Sequence, residues 1–408
     1  MHKKKKIIWS VMISIGFLLF SYCITNLKFP ISGEKALLYR FELVRNYLFP
    51  RESTVKDSIF LIAVSYDKIP VKTTDEYDMP IGDIQITDRQ KLLELLQVLK
   101  KRDDYKYILL DVFFGQEGET PQDSALYATI SSMSRIVIPC HKDEKLADPS
   151  LEVKAGWADY TSTYKVSGFT KYPYMLDEGI SMPLKMYEDI TGRTIKKHWF
   201  FYTDGWRLAR NSIVLTFDIH ANKPYNDAGE KIWYYLGADI LGNHDQKGLL
   251  FEMPELMKDK YIAIGAFQGD DNHSTYIGSI CGTLINLNAY FSLLHNHHIV
   301  SVTLIFILFF AFFVLAYLTI TRQDLSELAD TMSQKQNYRW RTRMMTLSAL
   351  CSWIGYSLFL TILCILTYIF LGEVYEIFVT STLFYLLSLV VKYTDNFKKS
   401  AKLWKRKY

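Results

Sequence analysis

Four aspartates are the residues whose type and setting best suit them to chemistry. Asp67, Asp111, Asp204 and Asp270 fall at the ends of apolar runs or in turns. That is where an α/β sheet places its binding crevice. Gathered there, several carboxylates would bind a cation or a polyol, and Arg207 would be available for an anion. Asp111 is the strongest candidate, because a carboxylate ending an apolar strand is costly unless it is paired or used. Each also has a plainer reading: Asp204-Gly205 is a turn dipeptide, and Asp123 suits a helix cap. The groups Asp270-Asp271-Asn272-His273 and His295-Asn296-His297-His298 contain metal-binding residue types. The second sits where a polar turn should precede a membrane span, and consecutive residues do not share one helical face, so no metal is expected.

Of the five cysteines, Cys23, Cys351 and Cys364 lie in long apolar runs. Cys140 and Cys281 have no C-x-x-C partner, which argues against thiolate-bound zinc and leaves either one disulfide or two buried thiols. There is no G-x-S-x-G, H-E-x-x-H, P-loop or G-x-G-x-x-G. We expect a binding protein without cofactor, not an enzyme.

The elements that must hold these aspartates alternate. Ser58 to Val64 and Tyr107 to Phe114 are continuous apolar, β-branched runs, as suits central parallel strands. Between them Thr87 and Gln90 have capping-box spacing ahead of a leucine-rich face, Leu92 to Leu99. A helix opened by Asp123 and a strand from Arg135 to Pro139 follow. Ser181 and Pro183 start a helix that Gly192 ends. Ile213 to Ile219, Ile232 to Leu236 and Tyr261 to Gly265 read as further strands, and Gly282 to Leu294 as a last helix. The expected fold class is an α/β domain on a mostly parallel sheet.

Around this domain lie four runs long enough to cross ~30 Å of hydrocarbon: Ile7 to Ile24, Ile299 to Ile320, Thr346 to Leu371 and Val374 to Val391. A wholly soluble protein is excluded, and the lipid bilayer is the first partner. The chain's net charge of +4 conceals a split: residues 25–298 carry 31 basic and 37 acidic side chains, leaving the rest strongly basic. The basic clusters, at residues 1–6, 321–345 and 392–408, alternate with the runs as the positive-inside rule requires. This puts both ends in the cytoplasm and residues 25–298 outside. Because each cluster abuts a span, a nucleic-acid partner is not expected. The first apolar run is too long for a cleaved signal and lacks an A-x-A-like site, so it reads as an anchor. The span segments lack the buried ionisable residues that transporters need. Glu34 to Leu48, with Leu37, Leu38, Phe41, Val44 and Leu48 on one stripe, is expected to continue the anchor as a helix. Leu325, Leu328 and Met332 would continue the second span inward, as a stalk on which two copies could pair.

In order and spacing these features resemble the CHASE2 family of extracytoplasmic sensory domains in bacterial signalling proteins. The matching residues are Leu61 to Asp67, Asp88-Arg89, Leu110 to Phe114, Asp123 to Leu126, Asp204 to Arg207, and the block Ile262 to Gly265, Asp270, Thr275, Gly278, Gly282, Asn288-Ala289 and Leu293-Leu294. Cys281 and Asn286 depart from the family pattern, which often has Pro and His at these places. The resemblance implies an inner-membrane sensor. Members usually carry a kinase or cyclase output, whereas the inner segments here are too short to fold as domains, so an unidentified cytoplasmic or membrane signalling partner is expected. The alternatives are a structural or assembly subunit of an envelope complex, or a periplasmic metal-dependent hydrolase using the aspartates.

Overall fold

The computed structural model describes residues 3–26, 34–48, 58–74, 80–115, 120–142, 144–159, 171–177, 179–219, 224–225, 229–243, 246–269, 271–321, 338–373, 375 and 377–405. Asp270 and the inward stalk of Leu325, Leu328 and Met332 lie outside them.

Six strands form the central sheet: β1 (Ile59–Ala63), β2 (Tyr107–Leu110), β3 (Ile136–Cys140), β4 (Ala155–Trp157), β5 (Trp233–Tyr235) and β6 (Tyr261–Gly265). Their spatial order is β5-β1-β6-β2-β3-β4, and every neighbouring pair is parallel. All carboxyl ends therefore emerge on one rim. Alternate side chains of β1 serve opposite faces. Phe60 and Ile62 pack with Leu92, Leu96 and Leu99 of α3 (Arg89–Arg102) and Leu126 and Ile130 of α4 (Asp123–Ser132). Leu61 and Ala63 pack with Leu184 and Tyr187 of α5 (Met182–Thr191) and Leu284 and Leu287 of α6 (Gly282–Leu294). The result is three layers with the sheet buried on both sides, which is why the strands read as unbroken apolar runs. The α3 leucines at 92, 95, 96 and 99 are fully buried, each stabilising the fold by about 1.5–3 kcal/mol.

Two expected helix starts are corrected. The cap of α3 is Asp88, not Thr87: its carboxylate accepts from the Gln90 and Lys91 amides at 3.0 and 3.2 Å. Asp123 is the first helical residue of α4, not its cap. Its carboxylate accepts from the Thr120 amide and hydroxyl at 2.8 and 2.9 Å. Ser181 and Gly192 bound α5 as expected, Gly192 in the left-handed conformation (φ 66°). The run Ile213 to Ile219 yields only the short strand Ser212–Val214, antiparallel to Lys171–Pro173. Unforeseen are the hairpins Lys68–Thr74 with Pro80–Thr87 and Asn272–Thr275 with Gly278–Cys281, and the meander Ile195–Lys197, Tyr202–Asp204, Arg207–Ala209.

Among the described residues three helices are long and apolar enough to cross a membrane: α1 (Lys3–Thr25), α7 (Val302–Thr321), and the stretch Trp353–Leu371 of α8 (Tyr338–Leu371). A shorter apolar stretch, Ile377–Val391, opens α9 (Ile377–Lys405). Phe17 of α1 stacks on Phe384 of α9 with centroids 4.1 Å apart, and Phe312 of α7 tilts against both. Polar links between α8 and α9 include Ser357 Oγ to Ser381 Oγ at 3.0 Å and Trp353 Nε1 to Thr382 Oγ1 at 3.2 Å, the small-residue and hydroxyl contacts that hold helices together in lipid. Residues Glu34–Leu48 are helical as expected (α2). Phe41 of α2 lies against Tyr368 of α8, with centroids 6.1 Å apart, and Arg45 lies over the same ring.

Candidate functional site

Asp67 lies just past the end of β1, where the Asp88 amide donates to its carbonyl and fixes the loop against the start of α3. Its carboxylate is buried. One oxygen accepts from Lys91 Nζ at 2.6 Å and the other from the Gly237 amide at 3.0 Å. A Cβ at Gly237 would run into the Asp67 carboxylate and come within 2.8 Å of Lys91 Nζ, so any side chain there would push this pair aside. The pair forms one wall of an open cleft of about 590 Å³ that Tyr66, Glu94 and Tyr235 also line. The two tyrosine rings stand 5.6 Å apart, and Tyr66 donates its hydroxyl to Gln268 Oε1 at 2.8 Å. Lys91 is partly exposed to the cleft, so its remaining protons can meet a ligand. Aromatic faces, carboxylates and one ammonium make a set suited to holding a small polar molecule with hydroxyl or charged groups.

Asp111 ends β2, two strands from Asp67. Neighbouring strands lie about 4.8 Å apart, and Asp111 is not part of the cleft lining. Its carboxylate accepts from Thr283 Oγ1 at 2.8 Å, at the start of α6. Burial pushes the Asp111 carboxyl up to about 6; the Thr283 hydrogen bond opposes this and the Asp271 carboxylate adds to it. Gly265 lets the Thr283 side chain come this close, because a Cβ there would clash with it. Nearby, His141 Nδ1 meets Asp159 Oδ1 at 2.9 Å and His273 Nε2 meets Asp271 Oδ1 at 3.1 Å. No described group of three or more histidine, cysteine or carboxylate residues is arranged to hold a metal ion.

The expected gathering of aspartates is therefore divided. Asp67 lines the cleft, Asp111 has a separate place on the same rim, and Asp204 with Arg207 lies in the meander beside the membrane helices. Arg207 is not left open for an anion: it donates to Asp204 Oδ2 at 2.7 Å and to Asn296 Oδ1 at 3.1 Å. The same Asp204 oxygen accepts from Tyr187 at 3.1 Å and meets His298 Nε2 at 3.2 Å. Burial works to raise Asp204, but the His298 hydrogen bond and the nearby cations outweigh it and hold the carboxyl below its ordinary value. His298, read from the sequence as part of a polar turn leading into a membrane span, is fully buried. Burial pushes its imidazole down to about 4 against the pull of Asp204. Cys140 and Cys281 are both free thiols, raised by burial to about 11 and about 12.

The chain matches no family model, no curated protein and no solved structure.

The joint between domain and membrane helices is the feature that sequence reasoning missed. Arg210 donates to Glu373 Oε2 at 2.5 Å, and both side chains are buried. Glu373 follows Gly372, which ends α8 at φ 71° with its amide on the Tyr368 carbonyl. The other Glu373 oxygen accepts from the Ser301 amide at 3.3 Å, next to the start of α7. From α1, Tyr22 donates to the Ala209 carbonyl at 2.6 Å and accepts from the Tyr202 amide at 3.1 Å, while Asn26 Oδ1 accepts from the Asn211 amide at 2.7 Å. Backbone pairing of Arg210 with His298 and of Val300 with Leu208 runs the meander directly into α7. The sequence signals were slight: Arg210 stands beside an apolar run, and Glu373 reads as part of the tight turn after Gly372.

Proposed function

We propose that the protein is a CHASE2-like sensor of the bacterial inner membrane, with four spans and both ends in the cytoplasm. In this reading residues 25–298 face the periplasm and detect a small polar cue, with the cleft at Asp67, Lys91, Glu94, Tyr66 and Tyr235 as the receiving site. The signal passes through the membrane helices to a separate cytoplasmic or membrane partner.

The observation that carries this reading is the joint. A buried ion pair strands a charge if its members separate, at a cost of about 3–5 kcal/mol, so α8 must follow Arg210 when the domain moves. The direct pairing into α7 and the Tyr22 hydrogen bonds give α1 and α7 the same constraint. A domain built only to bind an envelope component at a fixed site would have no use for three tied helices. Pull-down from membranes of the full chain, compared with a chain ending at Val391, tests the proposal. Recovery of a kinase, cyclase or response regulator that depends on residues 392–408 supports the sensor. Recovery of envelope-assembly proteins alone, or of no tail-dependent partner, shifts the weight to an assembly subunit.

A further inference from the structure

A second cavity, of about 280 Å³, opens between α1 and α7 beneath the meander. Its floor is Leu304 and Leu308 of α7, both buried, and its lips are Ile15, Leu19 and Phe200, all exposed. The cavity follows α1 from Ile15 to Thr25, about 15 Å of helix. That is half of the ~30 Å hydrocarbon layer, so the groove has the depth of a single leaflet. At its mouth the turn His198 to Phe201 carries three aromatic contacts: His198 on Phe201, Trp199 on Phe200, and Phe200 on Phe201. Trp199 is 93 % exposed, a costly position in water and a favourable one at a membrane interface, where Trp is enriched. Lys196 and Lys197, also exposed, immediately precede this turn.

We infer that this groove binds one acyl chain of an outer-leaflet phospholipid, with Trp199 and Phe200 seated in the interface and Lys196 and Lys197 facing its phosphate. The occupant follows from four features acting together: the leaflet depth, the apolar floor, the aromatic mouth and the basic collar. The inference rests on α1 and α7 crossing the bilayer.

Photo-crosslinking tests it. Benzoylphenylalanine is placed singly at Phe200, at Phe306 on the exposed side of α7 (60 % exposed), and at Val153 on the domain surface (72 % exposed). The full chain is reconstituted in vesicles of phosphatidylethanolamine and phosphatidylglycerol, irradiated, digested and weighed. The expected result is a phospholipid adduct at residues 200 and 306 and none at 153. Lys197→Ser should lower the phosphatidylglycerol adduct at 200 by about fivefold, the weight of one lysine near an anionic surface. It should leave the adduct at 306 unchanged. An adduct at 306 with none at 200, or with only a peptide of a second copy at 200, overturns the groove while leaving the spans standing. No adduct at either position removes the membrane-crossing premise itself.

Discussion

Glu373→Ala is the perturbation that probes the joint most severely. It removes the acceptor of the guanidinium of Arg210, a residue only 7 % exposed, and frees the Ser301 amide. Stranding a buried cation costs about 3–5 kcal/mol, and losing an acceptor at a helix start adds about 1 kcal/mol. Because the whole stability of a domain is about 5–15 kcal/mol, the meander should open locally before the fold is lost. The amides of Arg210 and Val300, bonded to His298 and Leu208, report that opening by hydrogen exchange in lipid nanodiscs. At about 1.4 kcal/mol per factor of ten, protection should fall at least about a hundredfold. The double variant Arg210→Met with Glu373→Leu removes both charges and fills their space, so protection should return to within about tenfold of the parent. A single variant that loses less than about tenfold, or a double variant as weak as the sum of its singles, would refute the argument that a desolvated charge pair holds the joint.

Four further outcomes follow from the geometry. Gly237→Ala drives a methyl group into the Asp67 carboxylate and should cost about 1–3 kcal/mol, the range for leaving a buried polar partner unsatisfied, read as a lower unfolding midpoint that Ala238→Gly does not reproduce. The Asp111 carboxyl, raised to about 6, holds a proton that the unfolded chain releases near 4; stability therefore falls as pH rises across that window, and the midpoint-against-pH curve of Asp111→Asn should lack this slope. His298 has the opposite sign: with its value pushed down to about 4 against about 6.5 unfolded, it removes stability as pH falls through that interval, and His298→Gln should be flatter there. Tyr22→Phe leaves the Tyr202 amide without its acceptor and the Ala209 carbonyl without its donor, and should weaken protection of the meander amides by about 1–3 kcal/mol.

The sheet was legible wherever burial on both faces made an unbroken apolar run. Tyr261 to Gly265, Tyr107 to Leu110 and Ile59 to Ala63 all lie inside the stretches read as strands, and the helices at 89–102, 182–191 and 282–294 had caps or leucine spacing to announce them. Illegible were the two hairpins, and the meander, whose three-residue strands mix Lys, Thr and Arg and whose partners are set by tertiary pairing. Asp67 could be read as a site residue because it closes an apolar strand. Its partners could not: Lys91 lies on the solvent side of a helix, and Gly237 matters only through the side chain it does not have. The joint was hidden for a related reason. Arg210 and Glu373 stand 163 residues apart, and neither has a local pattern that marks it as buried.

Coupling between cleft and cytoplasm is the claim on which the account stands. Spin labels at positions 341 and 402, near the start of α8 and the end of α9, give their separation by pulsed electron resonance in nanodiscs. Wedging the cleft with Gly237→Ala should shift that distance distribution in the parent chain, and should not shift it once Glu373→Ala has stranded Arg210 and opened the joint. An unchanged distribution in both backgrounds, or the same shift in both, would contradict a signal that travels through the buried pair.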